Sequence, residues 1–435
     1  VSSTLIKQAT VVTVDEQGTV LPRGDVLIRG AEIAGVWASE ARPAETAAEE
    51  TIEAEGMVLI PGFVNAHTHA AMTLLRGYAD DMPLMPWLQE RIWPLETKLE
   101  AEDVYWGTML GIAEMICAGV TCFNDMYHYF ETAAQAAVDG GIRANVSGVL
   151  LGFLPGAEER LERAIEFAEK WRGAGDGRLV TMLGPHAPYT CPDRLFRRVI
   201  EGAQRAGVGI HIHVSETAGE VQDSVREFGV TPVKRLVDLG LFDIHPVLAA
   251  HCVHVTEDDI ALLAEHQVGI AHNPGSNMKL ASGVAPVPKL LEAKATVGLG
   301  TDGPASNNNL DMIEEARLAA LLHKLHTGDP TVVPAPTALA MATREGAKAL
   351  GLGDQVGQIK VGLKADLALL DFAQPHLCPR HDVVSHLVYA ARAGDVRTVF
   401  INGQCVLHDR VLTTMDEREV CAQARARVER LVGAL

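Results

Sequence analysis

At 435 residues the chain exceeds the size at which one hydrophobic core keeps growing, which predicts one large domain and one smaller one. Apolar residues make up 48% and charged residues 21%, which excludes a disordered chain, and no run approaches the roughly 20 apolar residues of a membrane span. A net charge of −19 argues against nucleic acid or an anionic membrane surface as partner, while a neutral or zwitterionic nucleoside is compatible with it.

Seven cysteines stand singly with no C-x-x-C pair, the usage of a reducing compartment. Val1-Ser2-Ser3-Thr4 lacks the basic region and apolar run of a secretion signal, so a cytoplasmic location is expected.

Residues 1–57 alternate apolar and polar in short runs, such as Val11-Val12-Thr13-Val14 and Asp25-Val26-Leu27-Ile28, the pattern of a small antiparallel sheet. From 58 to 357 the texture changes. Short apolar runs recur at Val58–Val64, Val120–Phe123, Ala144–Leu150, Leu179–Leu183, Val208–Val214, Val247–Ala250, Val268–Ala271 and Thr296–Leu299, with amphipathic helical stretches between them. Eight such alternations predict a (β/α)8 TIM barrel, and no G-x-G-x-x-G follows the first run to favour an open doubly wound sheet. Residues 358–435 return to short strands, Asp366–Leu370, Thr398–Ile401 and Cys405–Leu407, before a C-terminal helix. Asn402-Gly403 between the last two is a two-residue hairpin signal. The two terminal segments are expected to build one β-sandwich domain beside the barrel.

Polar constellations stand at the carboxyl ends of the predicted barrel strands, where such a barrel carries its active site. Asn65-Ala66-His67-Thr68-His69 puts two imidazoles on one side of an extended chain. His211-Ile212-His213-Val214-Ser215-Glu216 does the same after strand five, and spacing does not say which histidine would bind a metal. His251 follows strand six, His186 sits in the Pro-bracketed loop after strand four, and Asp302 lies between glycines after strand eight. Each alone reads as an ordinary loop residue. Together they are the nitrogen and oxygen ligands that suit zinc or iron, with no thiolate among them. No lysine ends strand four to bridge a second ion, which argues for one divalent metal per chain, Zn2+ first and Fe2+ or Mn2+ as alternatives.

The run Gly62–His69 with Met72–Gly77, together with Gly184–Tyr189, His213–Thr217, His251–His254, His272-Asn273-Pro274 and Gly300–Asn308, resembles the amidohydrolase superfamily. Within it the chain resembles the 5′-methylthioadenosine/S-adenosylhomocysteine deaminases. The resemblance implies the barrel with a terminal β-sandwich. It also implies the metal ligands His67, His69, His213 and Asp302, leaving His211 inside its strand. His251 would orient the attacking water, Asp302 would take up its proton, and Glu216 would protonate the ring nitrogen. Glu96 matches the carboxylate that grips ribose hydroxyls, and Trp87 and His186 match residues near the base.

One departure concerns substrate. Family members that take S-adenosylhomocysteine carry an arginine a few residues beyond Gly141-Ile142-Arg143, where this chain has Gly148; Arg160 is the candidate for a second such arginine. Methylthioadenosine or adenosine is therefore expected to be preferred. The alternatives are hydrolysis of a guanine-type base or an s-triazine, which has no diol for Glu96, and a non-catalytic scaffold, which the retention of all four ligands opposes. Self-association into a homo-oligomer is left open.

Overall fold

The computed structural model describes residues 2–433, and its centre is a parallel eight-stranded barrel. Its strands are Phe63–Thr68, Val120–Tyr127, Arg143–Leu150, Leu179–Pro185, Gly209–Val214, Val247–His251, Gly269–His272 and Thr296–Leu299, each paired with the next. Nearly all their residues are buried, because helices cover one face and packed side chains fill the other. That double burial is why they read as unbroken apolar runs.

The helices read differently because only one stripe is covered. Asp193–Ala206 buries Leu195, Phe196, Val199, Gly202, Ala203 and Ala206, the 3.6-residue spacing of an amphipathic helix. It ends where Gly207 turns left-handed at φ 63°.

Strands one and eight close the barrel through side chains and single hydrogen bonds, not a ladder. Asn65 Oδ1 accepts from the Thr301 amide at 3.0 Å and its Nδ2 donates to Thr301 Oγ1 at 2.8 Å. The Asp302 amide donates to the His67 carbonyl at 2.9 Å. Gly300 permits this approach: a Cβ there would stand 2.5 Å from Asn273 Oδ1 and 2.8 Å from the His67 backbone.

The two chain ends build one mixed sheet beside the barrel. Met57–Pro61 is its meeting point, parallel to Ser3–Val12 and antiparallel to Leu367–Asp371. The apolar run Val58–Val64 is thus divided at Pro61-Gly62, its first half in the terminal sheet and its second in the barrel. Period-two alternation sorts the residues. Leu59, Leu367, Leu369 and Phe400 join the sheet's own core, whereas Val58, Ile60, Ala368 and Leu370 join the barrel's. With both faces buried, no polar residue marks the division. The Asn402-Gly403 hairpin is present, with φ of 51° and 76°.

A buried ion pair ties the bottom of the barrel to this sheet. Arg143, the first residue of strand three, donates from Nε to Asp366 Oδ2 at 2.7 Å and from Nη2 to Oδ1 at 3.1 Å. Both side chains are 1% exposed, and the Asn402 amide adds a third bond to Asp366 at 2.7 Å. Removing one member of such a pair leaves an uncompensated buried charge, at a cost of about 3–5 kcal/mol. Asp366→Asn is expected to lower the urea midpoint accordingly while leaving turnover per folded molecule unchanged, since the pair lies at the end of the barrel opposite the site.

Candidate metal centre and active site

Strand one delivers His67 and His69 to the barrel mouth, strand five His213, strand six His251 and the turn after strand eight Asp302. His67 Nε2 and His69 Nε2 stand 3.3 and 3.2 Å from Asp302 Oδ1, and His213 Nε2 is 3.4 Å from His69 Nε2. Ligating atoms of His67, His69 and Asp302 lie within 4.8 Å of one another, as do those of His67, His213 and His251.

The far side of each ring is already committed. His69 Nδ1 donates to the Met126 carbonyl at 2.6 Å and His213 Nδ1 to the His186 carbonyl at 2.7 Å. His67 Nδ1 pairs with His211 Nε2 at 2.8 Å. A neutral imidazole carries one proton, so these bonds turn bare Nε2 lone pairs toward a common point. His67 Nε2 is buried without a hydrogen-bond partner. Asp302 is fixed likewise: Ser276 and Ser306 hydroxyls donate to Oδ2 at 2.6 and 2.8 Å, leaving Oδ1 to face the histidines.

These residues fit a metal ion. Neighbouring ligands at about 2.0–2.2 Å from a tetrahedral zinc stand roughly 3.3–3.5 Å apart, close to the separations found. The electrostatics agree. Burial pushes Asp302 up, but the His67 and His69 imidazoles beside it outweigh burial and hold the carboxyl well below its usual range. Burial lowers His67 to about 4, whereas at His69 the Asp302 carboxylate overcomes burial and raises the imidazole to about 9. Without a cation the Asp302 carboxylate thus holds a proton on His69, the positive charge that a metal ion would replace, baring the Nε2 lone pair.

Above it opens a cavity lined by His69, Trp87, Glu96, His186, Glu216 and His251 among others. Glu216 Oε2 lies 3.8 Å from His251 Nε2, and Ser282 Oγ donates to Oε1 at 3.3 Å. Burial raises the Glu216 carboxyl; the His251 charge opposes this and Asp302 reinforces it. His251 Nδ1 is held by Asn277 Oδ1 at 2.9 Å, which aims Nε2 at the cavity. Trp87 is buried, its indole donating to the Ala79 carbonyl, and Thr190 holds His186 Nδ1 at 3.1 Å. The segment between strand one and its helix is a cavity wall through Met72, Trp87 and Trp93, while Leu74 and Leu75 belong to the core.

A second, outer and larger cavity shares Trp93, Glu96, His128, Val149 and Leu151 with the first. Arg160 lines this outer chamber, apart from the histidine cluster, and its Nη1 is buried with no partner. Gly148 does not line either chamber. A Cβ there would stand 2.6 Å from the Phe130 ring, so the position faces the covering helix and Val149 faces the cavity. Glycine at 148 supplies no carboxylate-binding group, and Phe130, which a side chain there would meet, is itself part of the outer chamber's wall.

Tyr127 and His128 at the cavity, and Ser276, Asn277 and Ser306 around Asp302 and His251, are functional neighbours that the sequence reading passed over. His128 stands 3.8 Å from Glu96. Tyr127 could have been found, since it ends strand two by the rule that located the histidines.

Residues 58–406 match the Amidohydrolase family. Two relatives are called 5-methylthioadenosine/S-adenosylhomocysteine deaminase. That of Pelotomaculum thermopropionicum is 53% identical over 98% of both chains, and that of Moorella thermoacetica 51% identical over 98% of this chain and 99% of its own. A zinc-bound adenosine deaminase from Xanthomonas campestris superposes with a TM-score of 0.96 at 40% identity, covering 100% of this chain and 99% of its own. An atrazine chlorohydrolase from Arthrobacter aurescens, complexed with zinc, shares the fold at a TM-score of 0.90 and 24% identity, covering 98% of this chain and all of its own.

His211 was expected to stay inside its strand, and it does so with a role. It is fully buried, holding His67 on one side and lying 3.5 Å from Ser147 Oγ on the other. Outer partners of this kind typically contribute 10- to 100-fold in metal affinity, by about the same factor His211→Leu is expected to weaken zinc binding in a chelator competition. Unchanged affinity would remove His211 from the site.

Proposed function

The chain belongs to the amidohydrolase family, and we propose that it hydrolytically deaminates adenine nucleosides, 5′-methylthioadenosine and S-adenosylhomocysteine among them, to the inosine analogue and ammonia. One observation carries this reading: a buried carboxyl that is no part of the histidine–aspartate cluster, Glu216, stands beside that cluster in a cavity whose lining also brings together Trp87, His186 and Glu96.

His67, His69, His213 and Asp302 would hold one divalent ion, with zinc favoured by the nitrogen-rich donor set and by the zinc in two structural relatives. Bound there, the ion supplies Lewis acidity that makes water nucleophilic near neutral pH. His251, with Nδ1 fixed by Asn277, orients the attacking water through Nε2. Asp302 Oδ1, free of its serine contacts, accepts the water proton as the C–O bond forms. Glu216, whose carboxyl burial shifts toward the protonated form, delivers a proton to the ring nitrogen next to the amino-bearing carbon, so charge does not build on the ring. As the C–N bond breaks, Asp302 passes its proton to the departing ammonia, and the proton left on the new hydroxyl returns to Glu216 as the carbonyl forms. His251 stays outside the ligand set in this scheme, although it is near enough to His67 and His213 to be grouped with them.

Glu96, at the junction of the two cavities and 9% exposed in its side chain, is suited to the ribose diol. The outer chamber then receives what the ribose 5′ position carries. Its walls include Trp93, Phe153 and Leu154, fit for a thioether, and Arg160 offers an unpartnered buried guanidinium nitrogen to a carboxylate. A bare guanine or triazine would leave Glu96 and this chamber unused.

Glu216→Gln is expected to lose on the order of 100-fold or more in kcat, the usual scale for a positioned acid, with full metal content, and His251→Ala to lose rate with its metal retained. An active Glu216→Gln enzyme, or one that has lost its metal, would overturn the assignment. Arg160→Ala separates the substrates. A charge-assisted hydrogen bond contributes roughly 1.5–3 kcal/mol, so KM for S-adenosylhomocysteine should rise about ten- to a hundredfold. Methylthioadenosine kinetics should hardly move, and equal effects on both would exclude a tail-specific contact.

A further inference from the structure

Strand five ends in a turn that its sequence does not favour. Ser215 is a non-glycine residue at φ 53°, in the left-handed region, and it is fully buried. Its carbonyl accepts from the amides of Val253 and His254 at 3.1 and 2.9 Å, which ties the turn to the loop after strand six. Its own amide donates to Glu220 Oε1 at 2.9 Å, and the amide of Glu216 donates to Glu220 Oε2 at 2.8 Å. One carboxylate thus holds two successive buried amides, and the second belongs to Glu216.

Glu220 is the third residue of the helix Ala218–Phe228, whose N-cap is Thr217. A glutamate at this position ordinarily reaches back to the N-cap amide to complete a capping box. Here Thr217 still accepts from the Glu220 amide at 3.2 Å, but the Glu220 carboxylate bypasses Thr217 and binds the two residues before it. The side chain is 92% buried by the residue's 8% exposure and so is not a solvated helix-end charge. Helix capping alone does not account for that route.

We propose that Glu220 is the positioning residue for the proton donor: its carboxylate fixes the backbone of Ser215 and Glu216 so that the Glu216 carboxyl points into the cavity beside His251. The inference rests on the reading of Glu216 as proton donor. The two hydrogen bonds and the left-handed Ser215 leave the Glu216 backbone little freedom, so its side chain reaches Ser282 and His251 without searching. Glutamine at 220 could accept only one of the two amides and would turn its own NH2 toward the other.

The experiment is a double-mutant cycle on the metal-loaded enzyme with methylthioadenosine. Glu220→Gln is expected to lower kcat by about 10- to 100-fold, the range in which a misplaced catalytic group falls, with KM within about threefold and full metal content. In a Glu216→Gln background the same change should alter kcat by less than about twofold, since residues acting as a unit are not additive. A Glu220→Gln enzyme of full activity, a loss confined to KM, depletion of the metal, or a penalty that multiplies in full on Glu216→Gln would each overturn the proposal. An active Glu216→Gln single variant would instead overturn the proton-donor reading itself. Should Glu220→Gln not yield folded protein, Glu220→Asp, which keeps both oxygens on a shorter arm, is expected to show a smaller loss in kcat of the same non-additive kind, and unchanged kcat there would overturn the proposal equally.

Discussion

The site depends on one constraint: three imidazoles must present bare Nε2 atoms to the same point as a carboxylate, inside a barrel mouth with little water to soften the repulsion. The fold meets it by occupying each Nδ1 from behind. Met126 belongs to strand two and sits behind His69 of strand one; His186 follows strand four and sits behind His213 of strand five. His67 is held across the barrel by His211. Each clamp is a contact between different strands, so ligand geometry is a consequence of strand order and register and would not survive local unfolding. An unpartnered buried nitrogen such as His67 Nε2 is costly in folding, and the same atom is what gives the folded chain its affinity for a cation.

A second cost is paid in backbone conformation. Ser215, His251, Cys252 and Asp302 all adopt positive φ, at 53°, 74°, 48° and 60°, at the ends of strands five, six and eight. Left-handed conformations cost non-glycine residues roughly 1–2 kcal/mol each. Glycine would relieve the strain but could not carry the imidazole or the carboxylate. The turns are held by hydrogen bonds from neighbouring strand ends, including the Cys252 amide to the Val214 carbonyl at 3.0 Å and the Asp302 amide to the His67 carbonyl at 2.9 Å. Strain is thus present where the reacting groups leave the barrel, and the surrounding ladder bears it.

This division explains what could be read from the sequence. Barrel strands buried on both faces announce themselves as apolar runs, and His67, His69, His213, His251 and Asp302 were visible because each follows such a run directly. Asn402-Gly403 was visible because its turn chemistry is local. Contacts that cross between elements leave no periodic trace. Ser276, Ser306 and Asn277 resemble loop residues until the loops after strands seven and eight are brought together. Pro61-Gly62 divides one apolar run between two sheets, because both halves are equally buried. Adjacent residues of a strand face opposite sides, so Val149 lines the cavity while Gly148 meets Phe130, a difference that an apolar run does not display.

The two chambers assign different physics to reaction and to selection. The inner one is small and closed by His186, Trp87 and Tyr189, and in it burial tunes Glu216 toward its protonated form. The outer one is larger and mostly apolar, with Arg163 engaged by Glu131 at 3.0 Å and Arg160 carrying the free donor. The chain's net charge of −19 would repel an anion at long range. An amino-acid tail, however, bears an ammonium as well as a carboxylate and has no net charge to be repelled. At contact distance the local guanidinium, not the distant field, decides, because surface charges beyond about 10 Å are screened at ordinary ionic strength. A strongly acidic protein can therefore accept a zwitterionic substituent through one placed arginine, because the contact is local and the tail's own ammonium cancels the charge that a long-range field would oppose.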